Sequence, residues 1–550
     1  MAEASRAERR RSSRGRRIQR NRILAGSGVL LVVVLLGYGC SKIGGDSGGD
    51  ATATKGGSGE TDGGEPTEAE AEQAAAKGLA ATSSYDGWVD PASSGEPWST
   101  SLVGQLTFRG NPTRSYYGLG PVPENPKVLW RYPESGGMCS SSPVGNTPHS
   151  WCGSGWTGQP SVWEDGNGDT RIAVGTYDQA IHFIDAADGT DFLQPFDMGD
   201  IIKGSVTRDP EGEPLLYSGS RADFHILGLD RPDAAADLWS MSADNVSPVN
   251  GWNDDWDSSP LMIDDYLFDG GENGQWYIIK LNRKKGADGL VSVDPQIVFN
   301  APSWDEQLTS DLSGSGSRVK DTGVENSLAI SGNTVYFANS GGLVQGWDIT
   351  DLKTDPSSVK RVFRFWTGDD TDASVVIDKE GMLYVASERE RGSTMDRSDE
   401  VGQLMKLDPT KPDDPLVWSI KDPPEPQAHG DCEESSCYGI WGTPAIADGV
   451  IYAGTNHGRF FAADMETGKI LWEKKLPGPT WQSPVVVDKT LIMGDCSGVL
   501  HGYDVSDPAK DPPELWTVDL EGCIESTPTV FKGKIYVGAR GGAFYAIGDE

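Results

Sequence analysis

Thr443-Pro444-Ala445, Ser483-Pro484-Val485 and Thr527-Pro528-Thr529 each open a short apolar run near the C-terminus. A second run follows each opening: Ile451-Tyr452-Ala453-Gly454, Leu491-Ile492-Met493-Gly494 and Ile535-Tyr536-Val537-Gly538. After a Gly-marked turn comes a third: Phe460 to Asp464, His501 to Asp504 and Phe544 to Ile547. Leu471-Trp472 and Leu515-Trp516 close the first two units with a fourth. Runs of β-branched and aromatic residues punctuated by Gly, Pro and Asp read as strands joined by hairpins. Four strands per unit at a steady period is the signature of a β-propeller blade.

Working outward, Gln159-Pro160-Ser161, Ser205-Val206, Ser259-Pro260, Ser327-Leu328 and Ser374-Val375 open five earlier units. The last unit stops after its third strand, and Val128-Leu129-Trp130 near residue 130 looks like a fourth strand without its first three. The two halves fit. The chain predicts an all-β fold, an eight-bladed β-propeller of four-stranded antiparallel blades over residues 101–550. Val128 to Tyr132 would complete the blade made by residues 527–547 and remove the open edges that invite aggregation.

Recurring residues take structural roles. Asp185, Asp230, Asp348, Asp408, Asp464 and Asp504 end third strands, where a carboxylate accepts backbone hydrogen bonds in the turn. The recurring Trp is large enough to wedge between blades, and its indole N–H then needs an acceptor. His182 and His501 both stand three residues before such an Asp, which marks them as equivalent repeat positions.

The Ser/Thr-Pro openings, Ile-Tyr-Ala-Gly-Thr at 451–455, Ala463-Asp464, Thr467-Gly468-Lys469 and Leu471-Trp472 resemble the PQQ-like β-propeller repeat, over residues from about 108 to 548. That resemblance implies an eight-bladed fold. It also implies two kinds of function: quinoprotein dehydrogenases that hold PQQ and Ca²⁺ on the axis, and the non-enzymatic propeller lipoprotein of the outer-membrane barrel-assembly machinery. The dehydrogenases clamp PQQ with a disulfide between adjacent cysteines. This chain has no Cys-Cys pair, and their catalytic Asp and Ca²⁺ ligands match no stretch of it.

The N-terminus reads as a targeting signal. Residues 1–22 carry nine Arg against Glu3 and Glu8, a net of +7 in a chain of net −35, which leaves −42 on the rest. So acidic a body repels polyanions and excludes nucleic acid as a partner. Residues 23–40 hold an apolar run, with 17 residues from Ile23 to Gly39, near the lower limit for crossing a bilayer. Two fates stand open: an uncleaved transmembrane anchor, or lipidation of Cys40 after cleavage. Either places the body on the extracytoplasmic side of the cell membrane. Residues 41–100, rich in Gly, Ser, Thr, Glu and Ala, read as a low-complexity linker. Cys139, Cys152, Cys432, Cys437, Cys496 and Cys523 are an even set suited to disulfides in an exported chain. Nearest-neighbour pairing is one of about fifteen connectivities.

Candidate chemistry is sparse. Asp165-Gly166-Asn167-Gly168-Asp169 has the alternating oxygen donors of a Ca²⁺ loop at Asp165, Asn167 and Asp169. Thr170 and Thr176, however, stand where such a loop needs Gly and an acidic ligand, and the run equally reads as a hairpin turn. No Walker or Rossmann glycine pattern precedes a helix. His429 lies in a Pro-rich loop without an assigned role. The insertions remain: the acidic and aromatic Trp252 to Asp257, then Glu388 to Glu400 and Lys421 to Tyr438. Loops on a rigid scaffold are where recognition resides. The expected function is a non-catalytic, membrane-tethered binding or scaffold propeller for a cell-envelope protein or polymer, without cofactor. The alternatives are a PQQ- and Ca²⁺-dependent dehydrogenase and a Ca²⁺-dependent carbohydrate-binding module.

Overall fold

The computed structural model describes residues 78–81, 83–144, 147–156, 158–221, 223–243, 248–249, 251, 255–316, 320–389, 396–422 and 438–550. Residues 23–40, with Cys40, and the pair Cys432 and Cys437 lie outside them, as does His429. Among the described residues no helix is long and apolar enough to cross a membrane. The unit made by Pro66–Ser142 and Ser150–Glu550 is the propeller. The second unit, Met1–Glu65 with Pro143–His149, has among its described residues only the tip of the hairpin Cys139–Val144/Thr147–Cys152.

Eight antiparallel sheets match the eight repeats. The sixth blade runs Ala445–Ala447, Val450–Gly454, Arg459–Asp464 and Ile470–Lys475 in that order, and the seventh repeats the pattern from Val485 to Asp519. In the eighth, Thr529–Phe531, Lys534–Ala539 and Ala543–Gly548 take Lys127–Tyr132 as their fourth strand, with Arg131 opposite Tyr545. The ring closes as the truncated last repeat predicts.

Fourth strands share one irregularity. In every blade the register slips by one residue, leaving out Leu129, Phe192, Leu238, Val298, Val362, Val417, Leu471 or Leu515. A β-bulge at each outer edge twists the strand and spoils it as a template for another chain. At three blades the next residue is a Trp whose indole reaches the following blade. Trp130 Nε1 donates to Ala186 O (3.2 Å), Trp418 to Met465 O (3.0 Å) and Trp472 to Pro508 O (3.1 Å). Each acceptor lies just past a third-strand Asp. Trp130 and Trp418 lie flat on Gly189 and Gly468, where a Cβ would sit 2.7–2.9 Å from the ring. Those glycines also hold φ of 76° and 70°, so two requirements select Gly at each turn.

The first strands converge on the axis, where backbone groups face inward and need partners. Seven blade openings are linked head to tail by six hydrogen bonds. Gln159 N–H donates to Ser205 Oγ, Ser205 to Ser259, Ser259 to Ser327, Ser327 to Ser374, Ser374 to Thr443 and Thr443 to Ser483, at 2.8–3.2 Å. This is why a hydroxyl recurs at the opening.

Residues 105–119 plug the axis and bond blade after blade. Gly104–Gln105 pairs with the first blade and Gly118–Leu119 with the eighth. Leu106 O, Pro112 O and Thr113 O accept from Arg208, Ile330 and Ile377 N–H, and Tyr117 Oη accepts from Ile446 N–H. Arg109 Nη2 donates to Pro444 O (2.6 Å) and Nη1 to Pro484 O. Arg114 donates to Leu328 O, Ser259 O and Phe108 O at 2.7–2.8 Å. Both guanidinium groups are fully buried. Burial pushes Arg114 down to about 9, against the raising effect of Asp269. Arg109 lies 4.3 Å from the Tyr117 ring centre.

One boundary moves. The linker expected to reach residue 100 gives way earlier, because Trp88 and Val89 are buried. Trp88 Nε1 donates to Ile349 O (2.8 Å), and Val89 bridges Gly332. The apolar Trp88 and Trp98 outweigh the polar composition around them.

Two outcomes test this account. Arg109→Ala removes two charge-assisted bonds and strands two buried carbonyls, a loss of at least about 3 kcal/mol. Urea unfolding should show it, and a loss below about 1 kcal/mol would mean the ring does not depend on its plug. Asp269, 1% exposed, is pushed up by burial to about 8. An unfolded Asp titrates near about 3.9, so between these values the folded state holds the extra proton and stability falls as pH rises. Asp269→Asn should flatten the dependence of Tm on pH between about 5 and 8.

Candidate functional site: the axial mouth

Alternating strand directions sort the connections. Turns between first and second and between third and fourth strands lie on one face; second-to-third turns and links between blades lie on the other. The first face carries tight turns and receives the entering chain, with Ser99 Oγ on Pro210 O and Ser94 Oγ on Ile377 O (2.7 Å). The second carries the helices Glu306–Ser315 and Asp396–Val401 and both described disulfides, Cys139–Cys152 and Cys496–Cys523. Among the described residues it also bears the interblade residues 133–142, 255–260 and 438–444.

On this loop face a ring of side chains stands two residues before each opening hydroxyl: Lys203, Asp257, Glu325, Asp372, Trp441, Trp481 and Glu525. The register of the hydroxyls aims them all at the axial mouth. On one wall Lys203 Nζ lies 2.6 Å from Asp255, 2.9 Å from Asp257 and 3.3 Å from Glu272, and Arg221 Nε is 3.3 Å from Asp255. All three carboxylates are buried. Burial pushes Asp255 up to about 7 against the pull of Lys203, with Asp257 adding repulsion. Burial raises Glu272 well above the carboxylate range, again against Lys203 and helped by Asp255 and Glu325. Lys203, which burial alone would lower, is held well above its ordinary value by these neighbours. Glu325, Asp370 and Asp372 bring three more carboxylate oxygens within 4.8 Å of one another, and each is engaged within the chain.

The other wall is aromatic. Trp441 and Trp481 stack at 4.9 Å and 24°, and Trp156 tilts onto Trp441 at 5.0 Å. Trp156 holds φ of 49°, a conformation bulky residues rarely adopt, and its N–H donates to Glu525 Oε2 (3.3 Å). Beside it Arg540 is paired with Glu525 at 2.9 Å and lies 4.8 Å from the Tyr177 ring centre.

A quinone cofactor with Ca²⁺ is what the repeat type brings to mind, and the mouth does not fit it. Trp156, Asp372, Trp441 and Trp481 enclose a gap of about 10 Å³, room for about one water. PQQ is a planar tricarboxylate, and here it would meet a wall of carboxylates. Lys203 already stands where a cation would sit among Asp255, Asp257 and Glu272.

The other sequence candidates fall elsewhere. Asp165, Asn167 and Asp169 form a hairpin turn on the opposite face, with Asn167 and Asp169 N–H donating to Asp165 Oδ1. Arg171 takes up Asp165 (2.9 Å), Asp169 (3.0 Å) and Asp185, so a guanidinium holds the place offered to Ca²⁺. His182 pairs with Asp178 and Tyr132, and His501 with Glu514, within third strands. Of the insertion Trp252 to Asp257, Asp255 and Asp257 reach the mouth while Trp256 packs against Phe224 and Tyr277; residues 252–254 lie outside the described residues. Sequence reading missed Trp156, Trp441 and Trp481. Aligning the repeats on the opening hydroxyl exposes Trp441 and Trp481, because that column changes chemistry while the hydroxyl does not.

Comparison with known proteins agrees with the repeat type. Residues 402–511 match the family model described as "Outer membrane protein assembly factor BamB". The BamB of Salmonella typhimurium is 28% identical over 160 residues, 22% of this chain and 40% of the relative's length. That of Escherichia coli K12 is 25% identical over 160 residues, with the same coverage. Among solved structures, the quinohemoprotein alcohol dehydrogenase of Comamonas testosteroni aligns over 87% of this chain and 84% of its own. Its TM-score is 0.54 at 14% identity, which speaks to the fold alone. A europium-containing methanol dehydrogenase aligns over 81% of this chain and 98% of its own, with a TM-score of 0.51 at 12% identity. This chain is an eight-bladed β-propeller whose residues 402–511 are similar in sequence to the BamB family.

Proposed function

We propose that this chain is a membrane-tethered, extracytoplasmic propeller that binds an envelope protein or polymer and catalyses no reaction, with the loop face as its working surface. The observation that carries the reading is the division of labour between the faces. Both helices and both described disulfides gather on one face, while the first described residues join the ring on the other. The basic head and apolar run of residues 1–40 supply the tether, and disulfides suit an oxidising compartment. The partial likeness to proteins named as outer-membrane assembly factors supports a binding role. The mouth's carboxylates are held by Lys203 and Arg221 rather than arrayed around an open reaction centre.

Two measurements check this. A photo-crosslinking residue at Val249 or Gln307 on the loop face should capture one and the same envelope component in intact cells. The same residue at Glu466 or Lys489 on the turn face should capture none. Equal capture from both faces would sink the assignment of the face. In thermal unfolding, PQQ and Ca²⁺ together should leave Tm unchanged; a native-state ligand at about 100 times its Kd would add about 2.7 kcal/mol. A shift requiring both would return the chain to the dehydrogenases.

A further inference from the structure

We infer that the two described disulfides form a redox-sensitive clasp on the loop face, which holds the sector where the ring closes and, with it, the aromatic wall of the mouth. The clasp does not depend on the binding reading above. The starting observation is a bond that recurs at all eight blades. An N–H of the second-to-third turn donates to a carbonyl of the link entering that blade, at 2.8–3.0 Å. In the second to fourth blades Arg221 donates to Ile201 O, Glu272 to Asp255 O and Ser340 to Gly323 O. In the seventh, eighth and first, Cys496 donates to Pro479 O, Arg540 to Cys523 O and Tyr177 to Gly153 O. Pro479 and Cys523 stand two residues before the rim side chains Trp481 and Glu525, so the bond fixes the link that carries each of them.

The four described sulfurs all fall on these bonds. Cys496 is the donor at the seventh blade and Cys523 the acceptor for the eighth, so their bridge couples two consecutive bonds. Cys152 directly precedes Gly153, the acceptor for the first blade. Its partner Cys139 directly follows Met138, whose N–H donates to Gly542 O (2.9 Å) in the turn of the eighth. Bonds and bridges thus run unbroken from Pro479 to Tyr177 and cross the seam between the eighth and first blades. The links lie flush on that turn: a Cβ at Gly541 would sit 2.1 Å from Glu521 O, and one at Gly153 1.8 Å from Ala539 O. Trp151, beside Cys152, has its ring centre 5.2 Å from the Arg540 guanidinium, and Trp156 N–H reaches Glu525. Residues 153–431 contain no Cys, so the acidic wall has no such bridge and is held by Lys203 and Arg221.

Cys139 is exposed and the other three are half-buried, so a thiol reaches the first bridge most readily. Opening is thiol–disulfide exchange with a partner dithiol. One partner thiolate attacks Cys139 Sγ and Cys152 leaves as a thiolate; the second partner thiolate then displaces Cys139. The partner departs as a disulfide, and two electrons and two protons pass to this chain. Each turn then keeps only its hydrogen bonds and opens locally, the rest of the ring staying shut.

The test is amide hydrogen exchange, read by mass spectrometry on the purified full chain in detergent micelles, oxidised and after dithiothreitol. Reduction should speed exchange of the Tyr177, Arg540 and Trp156 amides roughly tenfold or more, while those of Arg221, Glu272 and Ser340 keep their rates. Cys139→Ser/Cys152→Ser should reproduce the change at Tyr177, and Cys496→Ser/Cys523→Ser the change at Arg540. Protection retained in Val450–Gly454 shows that a variant is folded; where one does not fold, the reduced parent decides. Re-oxidation with oxidised glutathione should restore the slow rates. Unchanged exchange at Tyr177 and Arg540 in the fully reduced, folded chain overturns the inference. Equal acceleration at Arg221, Glu272 and Ser340 overturns it too, since the bridges would then brace the whole ring. So does a failure of re-oxidation to restore protection, which would leave no switch.

Discussion

Eight first strands converging on one axis leave inward-facing backbone carbonyls that need donors. The protein answers with residues 105–119. Arg109 and Arg114, buried completely, spread their donors over carbonyls of several blades, and the Thr107 and Thr207 hydroxyls meet at 2.9 Å beside Pro260 O. Guanidinium suits this place because its planar fork delivers several N–H groups from one stem. The side chains stay hydrogen-bonded even as burial lowers both pKa values. Because one segment bonds blade after blade, ring closure and axial satisfaction are a single event.

Around that hub, neighbouring blades are joined by repeated small devices. A bulge turns each outer strand, and at several blades the Trp after it docks on a Gly of the next blade's turn and donates to that turn's carbonyl. Such nearest-neighbour coupling is what makes repeat arrays cooperative. In an open array the end blades would lack a neighbour. Here Lys127–Tyr132 joins the last blade, and Trp130 docks on Gly189 of the first.

The same geometry creates the mouth. Fixing the hydroxyl of each opening at a common radius places the residue two positions earlier at the rim, whatever its chemistry. Structure constrains the hydroxyl column and leaves the rim column free to vary. Its mixture of Lys203, four acids and two Trp is therefore where recognition has room to develop. Burial, with neighbouring acids adding to it, raises the pKa of Asp255 and Glu272 on one side, and three indoles pack together on the other.

The blades were legible from the sequence because their signals are local and repeated: Ser/Thr-Pro openings, third-strand Asp, Gly at positive φ, Leu-Trp at the edge. Closure by Val128 to Tyr132 was legible too, since a missing strand at one end matched a spare strand at the other. What composition misjudged was residues 78–100, where a few apolar side chains outweigh a polar background. No repeat marks the plug at residues 105–119. Nothing near Arg109 in the chain indicates Pro444 and Pro484, the carbonyls it meets. Trp156, Trp441 and Trp481 come from three separate repeats and touch only once the ring is shut. Sequence by itself determined the blades, because a strand and its turn are written in neighbouring residues. The axis and its mouth were decided by tertiary structure, because they exist only where all eight blades meet.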